Sequence, residues 1–215
     1  WKKRALTGVA VLGLVVLGVL VAALLRKPQE ADISKYNLRP LATSGEFEDS
    51  AAWSPDGMSI AYQSTVNGRS QIFTRSLQAP EAVQVTRCES RCTSPAWSGD
   101  GSRLFFRKGS GVWSVGAAGG EPGLVMDNVL EFGLSRDGKT MAVLRRGKTG
   151  HVILLSSPPG APGVEYKPAP FSAEGFTNRP RLAFSPDGTK LMFAAWVGEA
   201  DRGMEFWELP LPAGR

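Results

Sequence analysis

The sequence predicts an all-β fold: a β-propeller of about four blades, preceded by one transmembrane α-helix. Three observations predict it. An Asp-Gly turn motif recurs four times, each copy is followed by alternating apolar runs, and the 215 residues include 25 Gly and 15 Pro. So many turn-forming residues argue against a helical bundle and suit short strands joined by tight turns.

The first segment is apolar over the thickness of a membrane. Residues 5–25 run for 21 residues without a charge, and as a helix they would reach about 30 Å, the hydrocarbon thickness of a bilayer. No cleavage motif of small residues follows, which favours an uncleaved anchor. Three basic residues precede the run and two follow it, so the positive-inside rule places the N-terminus in the cytoplasm. We expect a cytoplasmic stub at 1–4, a transmembrane helix at 5–25, a linker at 26–37 and an extracytoplasmic propeller at 38–215.

The composition excludes several other classes of protein. The chain is 42% hydrophobic and 21% charged, with two Cys and one His, which argues against a disulfide-dense miniprotein and a disordered tail. Its net charge of +5 falls to +2 for residues 33–215, which hold 20 Lys/Arg and 18 Asp/Glu. The basic balance therefore comes partly from the flanks of the anchor, and we expect no nucleic-acid partner.

The four turn motifs lie at a spacing typical of propeller blades. Their first residues are separated by 44, 37 and 50 positions. Each motif begins with a bulky residue that we expect to end an innermost strand and to wedge between blades. Asp bonds to backbone close to it, and Gly accepts a positive φ. The bulky residues are Trp53, Trp97, Leu134 and Phe184, and the turn residues are Ser54, Asp56, Gly57, Ser98, Asp100, Gly101, Ser135, Asp137, Gly138, Ser185, Asp187 and Gly188.

Each motif precedes two apolar runs, and three units add a short outer strand. Strands are predicted at 59–63, 103–107, 140–145 and 190–196, then at 71–75, 111–115, 151–155 and 205–209, with outer strands at 82–86, 123–126 and 163–166. Residues 38–43 are predicted as one more outer strand, as where the two ends of a propeller chain share a blade. Because four blades rarely close a ring, we expect a piece of a ring of about six to eight blades, cut at both ends.

Residues 53–62 carry the run W-S-P-D-G-x-x-I-A-Y. Through it, residues 38–215 resemble the WD-type and TolB-like β-propeller repeats of bacterial periplasmic and membrane-anchored proteins. Segments 71–77, 112–122, 154–160 and 205–212 are also similar to the extracytoplasmic propellers of bacterial transmembrane serine/threonine protein kinases. The resemblance implies a kinase domain before the span. Similar propellers occur in transmembrane winged-helix transcription regulators, so the cytoplasmic output stays open.

Residues 133–140 match the phosphate-binding pattern G-x-x-x-x-G-K-[ST] letter for letter. A true P-loop precedes a helix, whereas the run that follows here is short and β-like, and Asp137 would repel a phosphate. The same residues align with the other three turns. We therefore expect no nucleotide and no other cofactor.

Other patterns typical of catalysis are weak. His151 is the only histidine and opens a predicted strand. A multi-histidine metal site is therefore excluded, a Ser-His-Asp triad would have to use this one side chain, and we expect neither site from this chain alone. The sequence lacks a G-x-S-x-G nucleophile elbow. A glycosidase-type carboxylate pair stays open, although nothing singles out a pair. We expect no catalytic, cofactor-binding or metal-binding residue here.

Cys88 and Cys92 lie between the first and second units. Without a second Cys pair they do not form a zinc site, so they are either a disulfide within the loop or two reduced thiols. Basic residues at 87, 91, 103, 107 and 108 make at most a weak basic patch, since blade edges are ordinarily charged.

For the residues present, the sequence thus predicts a binding module and not an enzyme, and it leaves the activity of the full-length parent open. We expect a propeller in the periplasm or outside the cell that binds a protein, peptide or glycan, as sensor or scaffold of a receptor-like serine/threonine kinase. One alternative is the gating propeller of a membrane-anchored prolyl-oligopeptidase-like hydrolase, whose hydrolase domain would follow Arg215. Others are the sensor part of a transmembrane winged-helix transcription regulator and a tethered structural scaffold of the envelope.

Overall fold

The computed structural model describes residues 48–79, 81–148, 151–167, 181–196 and 204–211. The predicted stub at 1–4, transmembrane helix at 5–25, linker at 26–37 and outer strand at 38–43 lie outside these residues. Within the described ranges, no helix has the length and apolar character needed to cross a membrane.

The described residues form four antiparallel sheets in which chain neighbours are sheet neighbours. Each sheet is one blade, so the prediction of four all-β blades is confirmed. Blade 1 holds β1 (Glu48–Trp53), β2 (Ser59–Val66), β3 (Arg69–Ser76) and β4 (Val83–Gln84). Blade 2 holds β5 (Cys92–Trp97), β6 (Arg103–Lys108), β7 (Gly111–Gly116) and β8 (Gly123–Met126). Blade 3 holds β9 (Glu131–Leu134), β10 (Met141–Arg146), β11 (His151–Ser156) and β12 (Val164–Glu165), and blade 4 holds β13 (Arg181–Phe184), β14 (Lys190–Trp196) and β15 (Met204–Pro210).

The core consists of apolar clusters between neighbouring blades. Leu104 and Phe106 of β6 pack with side chains of blade 1, whereas Phe105 packs with side chains of blade 3. Successive side chains of a strand point to opposite faces, so a blade with neighbours on both sides needs apolar residues at every position. This requirement explains the continuous run Met141 to Leu144 in β10, which is fully buried. The blades therefore hold together face to face.

Two of the outer strands are shorter than predicted. Strand β4 contains two residues instead of the expected 82–86, and β12 contains two instead of 163–166. In blade 1 the ladder ends because the N–H groups of Val85 and Thr86 both donate to the carbonyl oxygen of Ile72, at 2.8 and 3.3 Å. From Val85 onward the chain leaves the sheet and crosses to blade 2.

The four bulky residues each end the innermost strand of a blade. Trp97, Leu134 and Phe184 pack against apolar clusters between blades. The Nε1–H of Trp97 also donates to the carbonyl oxygen of Ala52 in blade 1 at 3.1 Å. Trp53 departs from the expected wedge, with 63% of its surface exposed. Strand β1 belongs to the first described blade, so the described residues supply no earlier blade to cover it.

Candidate functional site

Each blade has two ends with different chemistry. At one, which we name the turn end, the two innermost strands are joined by the Asp-Gly turn. At the other, the loop end, lie the hairpin between the second and third strands and the crossing to the next blade. In blade 1 the loop end comprises the hairpin turn at Asn67 and Gly68 and residues 85–91.

The four turns of the turn end share one network of hydrogen bonds. In each, the Ser Oγ–H donates to Oδ1 of the Asp at 2.5 to 2.6 Å. The backbone N–H two residues after the Asp donates to the same Oδ1 at 2.9 to 3.1 Å. The N–H of the residue five positions after the Ser donates to its Oγ at 2.8 to 3.0 Å. The side chains thus close the turn on themselves.

These hydrogen bonds lower the pKa of all four aspartates. The hydroxyl of Ser98 lowers the pKa of Asp100 to about 2, helped by the backbone and hydroxyl of Ser102. Asp187 likewise has a pKa of about 2, owing to Ser185 and Thr189. The pKa values of Asp56 and Asp137 are also lowered, first by Ser54 and Ser135. A carboxylate held ionised by local donors is a poor general acid, so the geometry gives these aspartates a structural role.

The phosphate-binding pattern at 133–140 folds as one of these turns. Gly138 has φ of 67° and is followed by strand β10, not by a helix. A β-carbon on Gly99 would clash with the carbonyl oxygen of Asp137, and one on Gly138 would clash with the backbone of Gly99. The turns of blades 2 and 3 therefore lie backbone to backbone, which explains why Gly99 stands where two other turns have proline.

The loop end of blade 1 is held by a disulfide between Cys88 and Cys92. Both cysteines are buried in the cluster between blades 1 and 2. Gln71 secures the same loop, because its Nε2 donates to the carbonyl oxygen of Cys88 at 2.9 Å and its Oε1 accepts the Cys88 N–H at 2.8 Å. The hydroxyl of Thr86 donates to that Oε1 at 3.0 Å and accepts the N–H of Ile72 at 2.8 Å. Covalent and polar bonds thus fix the crossing loop.

A cavity of about 350 Å³ lies between this loop and the neighbouring hairpin. We name it the blade 1 groove. The side chains of Arg69 and Arg87 are exposed at it, as is that of Glu89. Among the described residues, neither guanidinium group has a hydrogen-bond or ion-pair partner. The groove is lined by Val66, Asn67 and Arg69 of the hairpin, by Gln84, Arg87, Cys88 and Glu89 of the loop side, and by Gln71.

A charged pair joins blades 2 and 3 at the loop end. Nη1 of Arg107 lies 3.8 Å from Oε2 of Glu131, whose side chain is 7% exposed. Burial raises the pKa of Glu131, while the charges of Arg107 and Arg181 and the N–H of Phe132 oppose that rise. The Nε of Arg107 is buried without a hydrogen-bond partner in the described part of the chain. The polar atoms of this charged pair therefore have fewer hydrogen-bond partners than the Ser and Asp side chains of the Asp-Gly turns.

Glu131 lies at a position of the innermost strand where the strands of blades 1 and 2 have a bulge. Three residues before the bulky residue, blades 1 and 2 have Ser50 and Ser94, each with φ of 55°. Both lie at a register shift, where the strand bulges. Blades 3 and 4 have Glu131 and Arg181 at the equivalent position. Blades 1 and 2 thus share a serine bulge near the loop end, whereas blades 3 and 4 carry a charged residue at that position.

The remaining sequence candidates do not form a site. His151 opens β11, where burial and then the charge of Arg146 lower its pKa. In the ranges that the structure describes, no group of three or more His, Cys, Asp or Glu side chains could hold a metal ion.

Comparison with known proteins settles the architecture. No known family model matches the chain. A protein assigned as TolB from Agrobacterium tumefaciens aligns with 78% of this chain, at a TM-score of 0.59 and 21% identity. TolB from Acinetobacter baumannii aligns with 75% of it, at 0.55 and 19%. The fold is a β-propeller. A structure from a study of two prolyl endopeptidases also aligns with 79% of the chain, at a TM-score of 0.59 and 16% identity.

The propeller spans only part of each of these proteins. It covers 59% of the Agrobacterium chain, 43% of the Acinetobacter chain and 27% of the prolyl endopeptidase chain. Identities of this size establish the fold, so the function has to be argued from the residues of this propeller.

Sequence reasoning missed the residues that build the loop end. Gln71 and Thr86 belong to no repeated motif, so nothing distinguished them from other polar side chains. Asn67-Gly68 is the pair preferred by two-residue hairpin turns and could have located this end of blade 1. The groove itself results from two segments that are distant in sequence, and only the fold brings them together.

Proposed function

We propose that this propeller is a binding module whose loop end recognises a protein or peptide. The observation that carries the proposal is the contrast between its ends. At the turn end, serine and aspartate side chains are engaged in local hydrogen bonds. At the loop end of blade 1, charged side chains without partners among the described residues surround a cavity next to a fixed loop. Rigid propellers with variable loops at one end are well suited to binding.

The finer proposal concerns where the module works. We propose that residues 5–25 anchor it in the membrane and that the propeller lies outside the cytoplasm. The disulfide between Cys88 and Cys92 supports this location, since disulfides persist in oxidising compartments. The resemblance of the blade segments to receptor-like kinases supports a serine/threonine kinase as the cytoplasmic output. The coding sequence upstream of residue 1 tests that output directly, and a frame without a kinase domain would exclude it.

Site-specific photocrosslinking tests the binding role. The full chain is produced in a bacterial membrane with p-benzoylphenylalanine at one position. Asn67 and Ser90 serve as loop-end positions, and Met58 and Arg136, which are also exposed, serve as turn-end controls. We expect the same discrete adduct from both loop-end positions and none from the controls. Adducts from the turn-end positions alone would contradict the proposal.

An enzymatic parent is the second candidate, because the propeller aligns well with a chain from the prolyl endopeptidase study. In this proposal the module would control access to an α/β-hydrolase domain encoded after Arg215. Such a domain would carry a G-x-S-x-G elbow. Reading the coding sequence past Arg215 decides between the two candidates, since a frame without that elbow excludes the hydrolase.

A further inference from the structure

The blade 1 groove is an open cavity that basic residues of two segments line. Its volume of about 350 Å³ lies within the range of ligand pockets in proteins, about 300 to 1,000 Å³. Arg69 comes from the hairpin and Arg87 from the crossing loop, so two exposed arginines from separate segments line one cavity. A guanidinium group matches the geometry of a carboxylate with two parallel hydrogen bonds. The charge of the groove therefore favours an acidic ligand.

The groove is also rigid on the side that carries Arg87. The next residue, Cys88, is held at its N–H, its carbonyl oxygen and its sulfur, by Gln71 and by the disulfide. Gln84 is held too, since its Nε2 donates to the carbonyl oxygen of Thr86 at 2.7 Å. A side chain presented from a fixed backbone loses little entropy when a ligand binds. This anchoring distinguishes Arg87 from an arginine on a free surface loop.

The other groups of the groove suit a peptide better than a free anion. The Oε1 of Gln84 has no partner among the described residues and can accept a peptide N–H, and the amide of Asn67 can donate or accept. Val66 and Cys88 add apolar surface for a side-chain stem. Glu89 reduces the positive charge at the rim, which disfavours a doubly charged phosphate relative to a single carboxylate.

We propose that the blade 1 groove binds an aspartate- or glutamate-bearing segment of a partner protein, with Arg69 and Arg87 holding the carboxylate. The proposal rests on the binding role proposed above and assigns it a ligand chemistry and two specificity-determining residues. The segment binds as an extended peptide, whose backbone meets Gln84 and Asn67.

Fluorescence anisotropy with the full chain in lipid nanodiscs tests the proposal. The probe is a fluorescein-labelled hexapeptide with two aspartates among glycine and alanine, and its twin has asparagine at both positions. Arg69→Gln with Arg87→Gln removes both cations, and Arg136→Gln, an exposed arginine of the turn end, is the matched control. Since the double variant removes both charged hydrogen-bond donors, we expect it to bind the aspartate probe at least about tenfold more weakly at low salt. The control should bind within about twofold of the parent chain.

Three results would overturn the proposal: unchanged binding by the double variant, equal binding of the asparagine twin, or displacement of the probe by inorganic phosphate at the concentration at which free aspartate peptide displaces it. The last would mean a general anion site. Photocrosslinking separates this failure from that of the wider function. Adducts at Asn67 and Ser90 that persist while the probe fails would leave the binding module standing and remove the acidic-peptide site.

Discussion

The two ends of the blades are built in opposite ways from the same strands. At the turn end, four turns repeat one set of hydrogen bonds with distances that agree within a few tenths of an ångström. At the loop end the described groups differ from blade to blade, apart from the serine bulge that blades 1 and 2 share. Blade 1 has a disulfide-bonded crossing loop and a groove, and blade 3 has a buried carboxylate paired with an arginine of blade 2.

This difference separates what repeats from what is particular to the chain. A repeated motif serves a need that every blade has, here the tight connection of its two innermost strands. The residues of the loop end do not form this connection, so their side chains are available to bind a partner. Single substitutions at each end should therefore differ in their cost, and the largest cost is expected at the loop end.

Removing Gln71 should destabilise the loop end most. Gln71→Ala leaves the buried N–H and carbonyl oxygen of Cys88 without their partner, and each unsatisfied group costs about 1 to 3 kcal/mol. We expect the free energy of unfolding, measured by urea titration of the full chain, to fall by about 3 kcal/mol. The matched control is Gln78→Ala, an exposed glutamine, which should change stability by less than about 0.5 kcal/mol. Equal effects of the two variants would contradict the role of Gln71.

Breaking the charged pair should cost somewhat less, and the cost should depend on pH. Arg107→Met leaves the carboxylate of Glu131 buried without the guanidinium group of Arg107. We expect this change to lower the free energy of unfolding by about 2 kcal/mol at pH 7. The cost is below that for a fully buried pair because the side chain of Arg107 is 26% exposed.

The pH dependence has a definite sign. Because burial raises the pKa of Glu131 above its ordinary value of 4.5, its contribution to stability is greatest below that value, where it is protonated, and is lost as pH rises through the folded pKa. The penalty of Arg107→Met should therefore shrink in acid. Adding Glu131→Gln should recover most of the loss at pH 7. A penalty that stays constant with pH, or a double variant no more stable than Arg107→Met, would refute the pairing.

The sequence predicted the turn end far better than the loop end, and the cause is physical. Asp100 and Gly101 act through hydrogen bonds to residues within three positions of them, so a local motif contains all the information. Gln71 acts on Cys88, 17 positions away, through a contact that exists only when the outer strand ends early. The pair of Arg107 and Glu131 spans two blades in the same way. Four occurrences of one motif made the blades predictable, and no repetition existed to mark the groove.

The contact between neighbouring turns gives a smaller effect at the turn end. Gly99→Ala places a β-carbon against the backbone of Asp137, so the two turns must move apart. Inserting an atom into a packed contact costs about 1 to 3 kcal/mol, and we expect about 1.5 kcal/mol because both turns are near the surface. Arg136→Ala, at the equivalent and exposed position of blade 3, is the control and should change stability by less than about 0.5 kcal/mol. If both variants unfold at the same urea concentration, the two turns do not touch as described.

The smallest expected effect concerns the acid limit of the turn end. Asp100 and Asp187 have a pKa of about 2 in the folded chain and an ordinary value of 3.8, so their contribution to stability is present above pH 4 and is lost as pH falls towards 2. Ser102→Ala removes a hydroxyl donor from Asp100 and makes it resemble Asp56, which is followed two residues later by Met58 and receives no such hydroxyl. The pKa of Asp100, followed by the carboxyl carbon resonance in NMR, should then rise while that of Asp187 stays in place. If Asp100 titrates near 3.8 in the unaltered chain, the hydrogen bonds of the turn hold its carboxylate less tightly than this geometry implies. The turn end would then no longer differ from the loop end in satisfying its polar side chains by local hydrogen bonds.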